Sequence, residues 1–433
     1  MRYIVDLHIH SRYSRACSKN LTLPNLAAWA RAKGIDILGT SDFTYPAWRK
    51  DIGEQLEPVE DGLFRLRKEC EAEGGTDAYE PAPAVRDGRP VRFMLSTELS
   101  CIYKKNGRTR RLHLLVLSPS LAATDAIIAS LERRGCNLRS DGRPILGLDA
   151  KEVLKIALDA DPRSMVIPAH AWTPWFSVFG SESGFDSLEE CFEELAPHIH
   201  AIETGLSSDP AMNRRLSALD GVMLISNSDA HGLRNLGREA NVFELEEIGY
   251  GPVTDVLRRR QRERFPYTIE FFPEEGKYHV DGHRGCSFSC EPEETARLGG
   301  VCPKCGKQLT RGVLGRVHAL ADRPAGAEEA KMTPYRSIVP LEEVVADVLG
   351  VGKASKKAAA LYKALLAGVG SEFTVLLDAP LERIASVDAK AAEAVRRVRA
   401  GELLVTPGFD GVFGKVRIFG EDSEPDAHPR LGL

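Results

Sequence analysis

Eight side chains able to hold a divalent metal, His8, His10, Asp42, Glu98, His113, His170, Asp229 and His231, each fall at or just beyond the end of a short apolar run. Imidazole and carboxylate together suit borderline divalent ions such as Zn²⁺, Mn²⁺ or Fe²⁺, and neighbouring ions of that kind activate water for attack on phosphorus. A strand alternates faces with period two, so His8 and His10, at the end of the run Tyr3 to Leu7, point the same way and can grip one ion. Asp229 and His231 repeat that spacing. A lone histidine such as His198 or His200 is more often packed or superficial, but two such pairs with four single residues at strand ends predict a multimetal site.

The runs themselves are the elements that must position these residues. Ile35 to Gly39 leads to Asp42, Phe93 to Ser96 leads to Glu98, Leu112 to Leu117 carries His113 near its start, Met165 to Ile167 leads to His170, and Leu224 to Ser226 precedes Asp229. Pro24 opens a helix through Lys33 that Gly34 stops, and further helices are expected over 121–134, 149–160, 187–196 and 210–219. Alternating strands and helices with chemistry at the carboxyl ends of strands predict a β/α barrel over residues 1–265. Residues 45–90, with Gly74, Gly75, Pro81, Pro83, Gly88 and Pro90, read as a long insertion.

The chain has 433 residues, 43% hydrophobic and 27% charged, with a net charge of -5, which predicts a globular protein of two or three domains and gives no global argument for nucleic-acid binding. No apolar stretch approaches the roughly 20 residues that span a bilayer. MRYIVDLHIH runs directly into a functional strand, so no cleaved signal is expected and a cytoplasmic location is. Four of the nine cysteines cluster as Cys286-x3-Cys290 and Cys302-x2-Cys305, the spacing of a structural four-cysteine zinc ribbon over 266–322. His279 and His283 stand close by but are left out, because four thiolates complete a tetrahedral shell.

Residues 323–433 are expected to be a linker, to about 340, and a C-terminal helical DNA-binding domain, with helical segments at 341–367 and 380–400 broken at Gly350-Val351-Gly352 and Gly368-Val369-Gly370. Lys353, Lys356 and Lys357 beside the first break suit phosphates, as do Arg108, Arg110 and Arg111 around His113 and the arginines of 258–264. A solvated basic surface accounts for the same residues equally well. Tyr45 and Trp48 after Asp42, and Trp172, Trp175, Phe176 and Phe179 after His170, are candidates to line a pocket for a base turned out of its stack.

DLHIHS, TSDF, STELS, RLHLLVL, IPAHAW and SNSDAH resemble, in order, the motifs of the PHP (polymerase and histidinol phosphatase) superfamily of metal-dependent phosphoesterases. The resemblance implies an irregular seven-stranded (β/α) barrel with two or three catalytic divalent metals (Zn²⁺, Mn²⁺ or Mg²⁺). It implies a first site of His8, His10, Glu98 and Asp229, with Glu98 bridging to a second held by His113 and His170. His231 would serve a third site or the leaving group, and catalytic roles fall to Asp229, His231 and Glu98. Phe43 stands where many members carry a further histidine, so the third site is expected either to be absent or to be altered with Asp42 as the substitute ligand.

With the zinc ribbon and the tail TPGFDGVFGKV, the whole chain resembles the endonuclease Q family of DNA repair nucleases. That resemblance implies incision of DNA 5′ of a deaminated base (uracil, hypoxanthine, xanthine) or an abasic site. The alternatives are a small-molecule phosphatase of the histidinol-phosphate type and a noncatalytic DNA-binding adapter. The stretch EDSEPDAHPRLGL shows no clear peptide for binding a replication sliding clamp, so that partner is not expected and protein partners stay open.

Overall fold

The computed structural model describes residues 1–71, 85, 89–326 and 333–420. Twelve strands make up the main body: β1 (Arg2–Asp6), β2 (Ile37–Gly39), β3 (Leu56–Pro58), β4 (Leu63–Leu66), β5 (Arg92–Lys105), β6 (Arg108–Ser118), β7 (Ile145–Leu146), β8 (Met165–Pro168), β9 (Ala201–Glu203), β10 (Met223–Ile225), β11 (Ala240–Glu244) and β12 (Tyr267–Glu270). The protein is a mixed α/β structure around a central sheet. Val5 and Leu7 in and just after β1, Ile37 of β2, Met94 of β5, Leu115 and Leu117 of β6, Ile167 of β8, Ala201 of β9, Ile225 of β10 and Phe243 of β11 bury together in one cluster. These strands therefore share one interior, which the helix Tyr250–Arg259 joins through Tyr250, Val253, Val256 and Leu257.

The ladders are more mixed than an all-parallel β/α pattern. β1, β2 and β5 pair in parallel, but β1 is antiparallel to β11, β5 to β6, and β6 to β8. β9 and β10 form their own two-stranded ladder, and the bridge between Ile9 and Ala230 joins the segments that follow β1 and β10. The β5–β6 hairpin has a local cause. Asn106 and Gly107 both adopt positive φ, 52° and 73°, the two-residue turn that returns a strand directly on itself without a crossover helix. Glu98 and His113 consequently lie in mid-strand, Glu98 opposite Leu115 and His113 opposite Ser100, rather than past strand ends.

Helix Leu23–Lys33 starts where Thr22 caps Asn25 N–H and ends at Gly34, whose φ of 90° suits a left-handed cap. Leu121–Arg133, Ala150–Ala160, Leu188–Phe192 and Pro210–Arg214 are helical as expected. In the described part of the insertion 45–90, helix Pro46–Gln55 leads into a β3–β4 hairpin that pairs with β5; Gly74, Gly75, Pro81, Pro83 and Gly88 lie outside the described residues.

The later segments are tied to the main sheet. β12 pairs with β11, and β15 (Tyr335–Ser337) pairs with β12, after the short hairpin β13 (Asp281–His283) and β14 (Phe288–Cys290). Helices Leu341–Leu349, Lys356–Gly368, Leu381–Ala385 and Ala389–Ala400 follow, the first ended by Gly350 at φ 62°. Buried Glu372 fastens this bundle. It meets Lys33 at 2.8 Å and accepts from Tyr362 Oη at 2.6 Å and Leu341 N at 3.1 Å. A last hairpin, β16 (Leu404–Thr406) and β17 (Lys415–Arg417), packs against Pro273–Glu275. Among the described residues no helix is long and apolar enough to cross a membrane.

Candidate metal centres and the adjoining cleft

Two groups of potential ligands meet at Glu98. His8, His10, Glu98 and Asp229 form one, and Glu98, His113 and His170 the other. The glutamate divides its oxygens between them. Oε2 lies 3.5 Å from His8 Nε2 and 3.3 Å from His10 Nε2, while Oε1 lies 2.7 Å from His113 Nδ1 and 3.3 Å from His170 Nε2. Asp229 Oδ1 completes the first group at 2.9 Å from His10 Nε2. Asp42, His170 and Asp229 hold φ values of 43°, 30° and 46°, a left-handed backbone that costs energy in non-glycine residues and persists where surrounding structure enforces it.

The set is electrostatically tight. Burial alone would lower His8, but the charges of Glu203 and Glu98 hold it well above the ordinary imidazole range. His10 is likewise raised to about 9, against its burial, by Asp229 and Asp42. Glu98 and Asp229 are held well below the usual carboxylate range, against burial, by the histidines and, for Glu98, Arg143. Burial wins at His113, which drops to about 4. Divalent cations fit this place: His8 Nε2 is buried without a hydrogen-bond partner, and the donors are two imidazoles with two carboxylates on one side and two imidazoles with the shared carboxylate on the other.

Asp42 and His231 stand outside both groups. Asp42 Oδ2 accepts from Ser11 N at 2.9 Å, Ser11 Oγ at 2.5 Å and Ser14 Oγ at 2.7 Å, and Oδ1 lies 3.6 Å from His10 Nδ1, so the carboxylate orients His10. The His231 ring lies 4.4 Å from that of His10, with Nδ1 2.9 Å from Asp229 O. Phe43 is core.

Sequence reasoning missed Glu203 and Arg143. Buried Glu203 sits 2.9 Å from His8 Nδ1 and accepts from His170 N at 3.0 Å and Asn227 Nδ2 at 2.8 Å. Its signal was present, since AIE is another apolar run ending in a carboxylate. Arg143, which donates to Glu98 Oε2 at 3.0 Å, had none.

The thiolate centre departs from the expected four cysteines. The four groups that meet are His283, Cys286, Cys302 and Cys305, with His283 Nδ1 3.5 Å from Cys305 Sγ. Cys290 is directed elsewhere, 3.3 Å from Thr295 Oγ1, because the hairpin register sets it opposite Asp281. Three thiolates and one imidazole make an equally good tetrahedral zinc shell.

Several pocket candidates are packing residues instead. Trp48 is buried with Nε1 donating to Thr40 O and Ser41 O, Trp172 donates to Asn213 Oδ1, and Phe179 packs on Trp172. Arg110 is buried over the Phe185 ring and donates to Gly184 O. Tyr45 stacks on Tyr13 and Phe176 lies against His113. Arg108 and Lys356 are exposed, Arg111 half-buried, and Lys353 pairs with Glu343. Trp175 alone of the tryptophans is well exposed, at 40%, and with Tyr278, Phe271 and Phe413 it lines a cavity of about 1060 Å³ that also takes Arg234, Arg238, Lys277 and Lys353. The cavity adjoins the ligand groups, since its Thr173 is 3.1 Å from His170 Nδ1 and its Arg238 donates to Asp229 O.

Fold and site together define a mixed α/β protein with a paired-metal candidate centre. Over 96% of this chain and 95% of its own, the structure of the lesion-specific endonuclease PfuEndoQ from Pyrococcus furiosus matches at 32% identity and a TM-score of 0.81. An endonuclease Q bound to a 27-mer duplex substrate with an abasic lesion at its active site matches at 32% and 0.79, over 96% of both chains. The uncharacterised YqxK of Bacillus subtilis is 30% identical over 95% of this chain and 98% of its own length. The uncharacterised MJ0043 of Methanocaldococcus jannaschii is 30% identical over 57% of this chain, which spans only 31% of that longer protein, and residues 340–402 match the MJ0043 C-terminal domain family. The chain belongs to the endonuclease Q family.

Proposed function

We propose that this protein is a metal-dependent DNA repair endonuclease that cuts the phosphodiester bond 5′ of a deaminated base or an abasic site. One observation carries the reading: a single buried carboxylate, Glu98, is shared by two ligand groups beside a large cavity lined by aromatic and by both basic and acidic side chains. The full-length likeness to a lesion-specific endonuclease supports the same substrate class. His8, His10, Glu98 and Asp229 would hold one cation, and Glu98, His113 and His170 a second. When bound, such a pair lowers the pKa of water and neutralises charge on the phosphoryl oxygens.

The chain's own residues set the geometry. Glu203 grips His8 through Nδ1, so Nε2 faces the centre, Thr173 does the same for His170, and the Asp42 carboxylate lies 3.6 Å from His10 Nδ1. In hydrolysis the water oxygen bonds to phosphorus, the bond from phosphorus to O3′ breaks, and O3′ takes up a proton. His231, 30% exposed at the rim, is the candidate to meet that leaving oxygen. Trp175, Tyr278 and Phe413 offer faces on which bases stack, and Lys277 offers charge to the backbone, with Arg234 and Lys353 there paired to Glu342 and Glu343. His283, Cys286, Cys302 and Cys305 would hold a structural Zn²⁺ with no open position for substrate.

The test is a panel of end-labelled duplexes, each with one uracil, hypoxanthine, xanthine or abasic site, incubated with Mg²⁺, Mn²⁺ or Zn²⁺. A single cut 5′ of the lesion, absent from undamaged duplex, is expected. Turnover of small phosphomonoesters without any oligonucleotide cleavage would overturn the reading in favour of a phosphatase.

A further inference from the structure

We infer that Arg143 is a further catalytic residue, a fixed guanidinium that holds a non-bridging oxygen of the scissile phosphate beside the ligand group of His8, His10 and Asp229. The inference rests on the phosphoesterase reading above. Arg143 Nη1 donates at 3.0 Å to Glu98 Oε2, the same oxygen that His8 and His10 approach. Its side chain is 23% exposed, and among the described residues that is the guanidinium's one hydrogen bond. The other N–H groups of a five-donor fork therefore remain for a phosphate.

The backbone, not the ion pair, sets this position. Ser100 N donates to Pro144 O, Gly142 N donates to Tyr13 O, and β7 begins at Ile145, opposite Ser100 of β5. Gly142 presses on Asp42 so closely that a Cβ there would collide with the carboxylate and with Ser14 Oγ. Asp42 accepts from Ser11, Ser14 and Ser41, and the His231 ring stands beside that of His10 on that side of Asp229. Positive charge beside the paired centre comes from Arg143 at the Glu98 carboxylate and from Arg238 at the Asp229 carbonyl, and of the two only Arg143 meets the shared carboxylate.

A counter-ion for buried Glu98 would use the same contact, and the experiment separates the two roles. Full-length wild-type, Arg143→Ala and Arg143→Lys proteins loaded with Mn²⁺ are compared in single-turnover incision of a duplex with one abasic site, in metal content per chain, and in calorimetric binding of orthophosphate. Arg143→Ala is expected to lower the incision rate about 100-fold with metal content unchanged, as for loss of one preorganised charge donor. Orthophosphate should bind about tenfold more weakly, Arg143→Lys should fall between, and added guanidinium ion should restore part of the Ala variant's rate. An unchanged rate and phosphate affinity, or a rate that falls only in step with lost metal, would overturn the inference. If Arg143 governs phosphate binding but the wild type cuts no DNA, the DNA reading fails and the arginine's role stands.

Discussion

The two candidate metal centres are built on opposite principles. The paired centre collects ligands from the ends of β1, β8 and β10 and the middle of the β5–β6 hairpin, so no stretch of chain contains it and the folded body must precede it. The thiolate centre draws everything from 283–305, on short turns with Cys305 exposed, so the metal itself must supply much of the local stability. Loss of a ligand in the first should therefore remove chemistry and spare the fold. In the second it should loosen structure and spare the chemistry.

The sharpest way to break that contrast is Asp229→Ala or His8→Ala. Incision of a uracil duplex should fall by at least about a thousandfold while the melting temperature shifts by only a few degrees. Full activity in either variant would sink the paired-centre assignment. Next, Cys302→Ser and His283→Ala should each release one Zn²⁺ per chain and weaken DNA binding, measured by metal analysis and fluorescence anisotropy, without changing the metal content of the paired centre. Cys290→Ser should keep its Zn²⁺; the opposite result would restore a four-cysteine site.

A smaller effect is expected one layer out. Glu203→Gln should weaken metal affinity about 10- to 100-fold, recoverable by excess metal, as read by titration. A pH effect on stability is expected behind the site. Burial holds Glu270 at about 8 against an ordinary 4.5, with the hydroxyls of Thr268, Thr204 and Ser226 around it. The folded state thus keeps a proton that the unfolded chain releases, and stability falls as pH rises from about 4.5 through about 8. Glu270→Gln should flatten that slope in denaturant titrations across the window.

How far the sequence could be read follows the same division. Strand runs, the capped helix Leu23–Lys33 and the i, i+2 histidine pair were legible because they depend on local periodicity. The β5–β6 hairpin was less so, although Asn106-Gly107 was a local signal for it. Trp48, Trp172 and Phe179 illustrate the limit: an aromatic next to a ligand fits a cavity or a core equally well, and burial decides only when distant segments close over it. Cys290 shows the same limit over a short stretch, since spacing reported four thiols while strand register turned one of them away.

The sequence by itself offered the candidate donors of the paired centre, because histidines and carboxylates in and after apolar runs are legible as residue type and spacing. Only the tertiary structure decided which of them share Glu98, that Asp42 serves His10, and that Glu203, Arg143 and His283 belong to the sites. Those assignments are distances between residues far apart along the chain or across a hairpin, fixed by packing and strand register, and no local pattern encodes them.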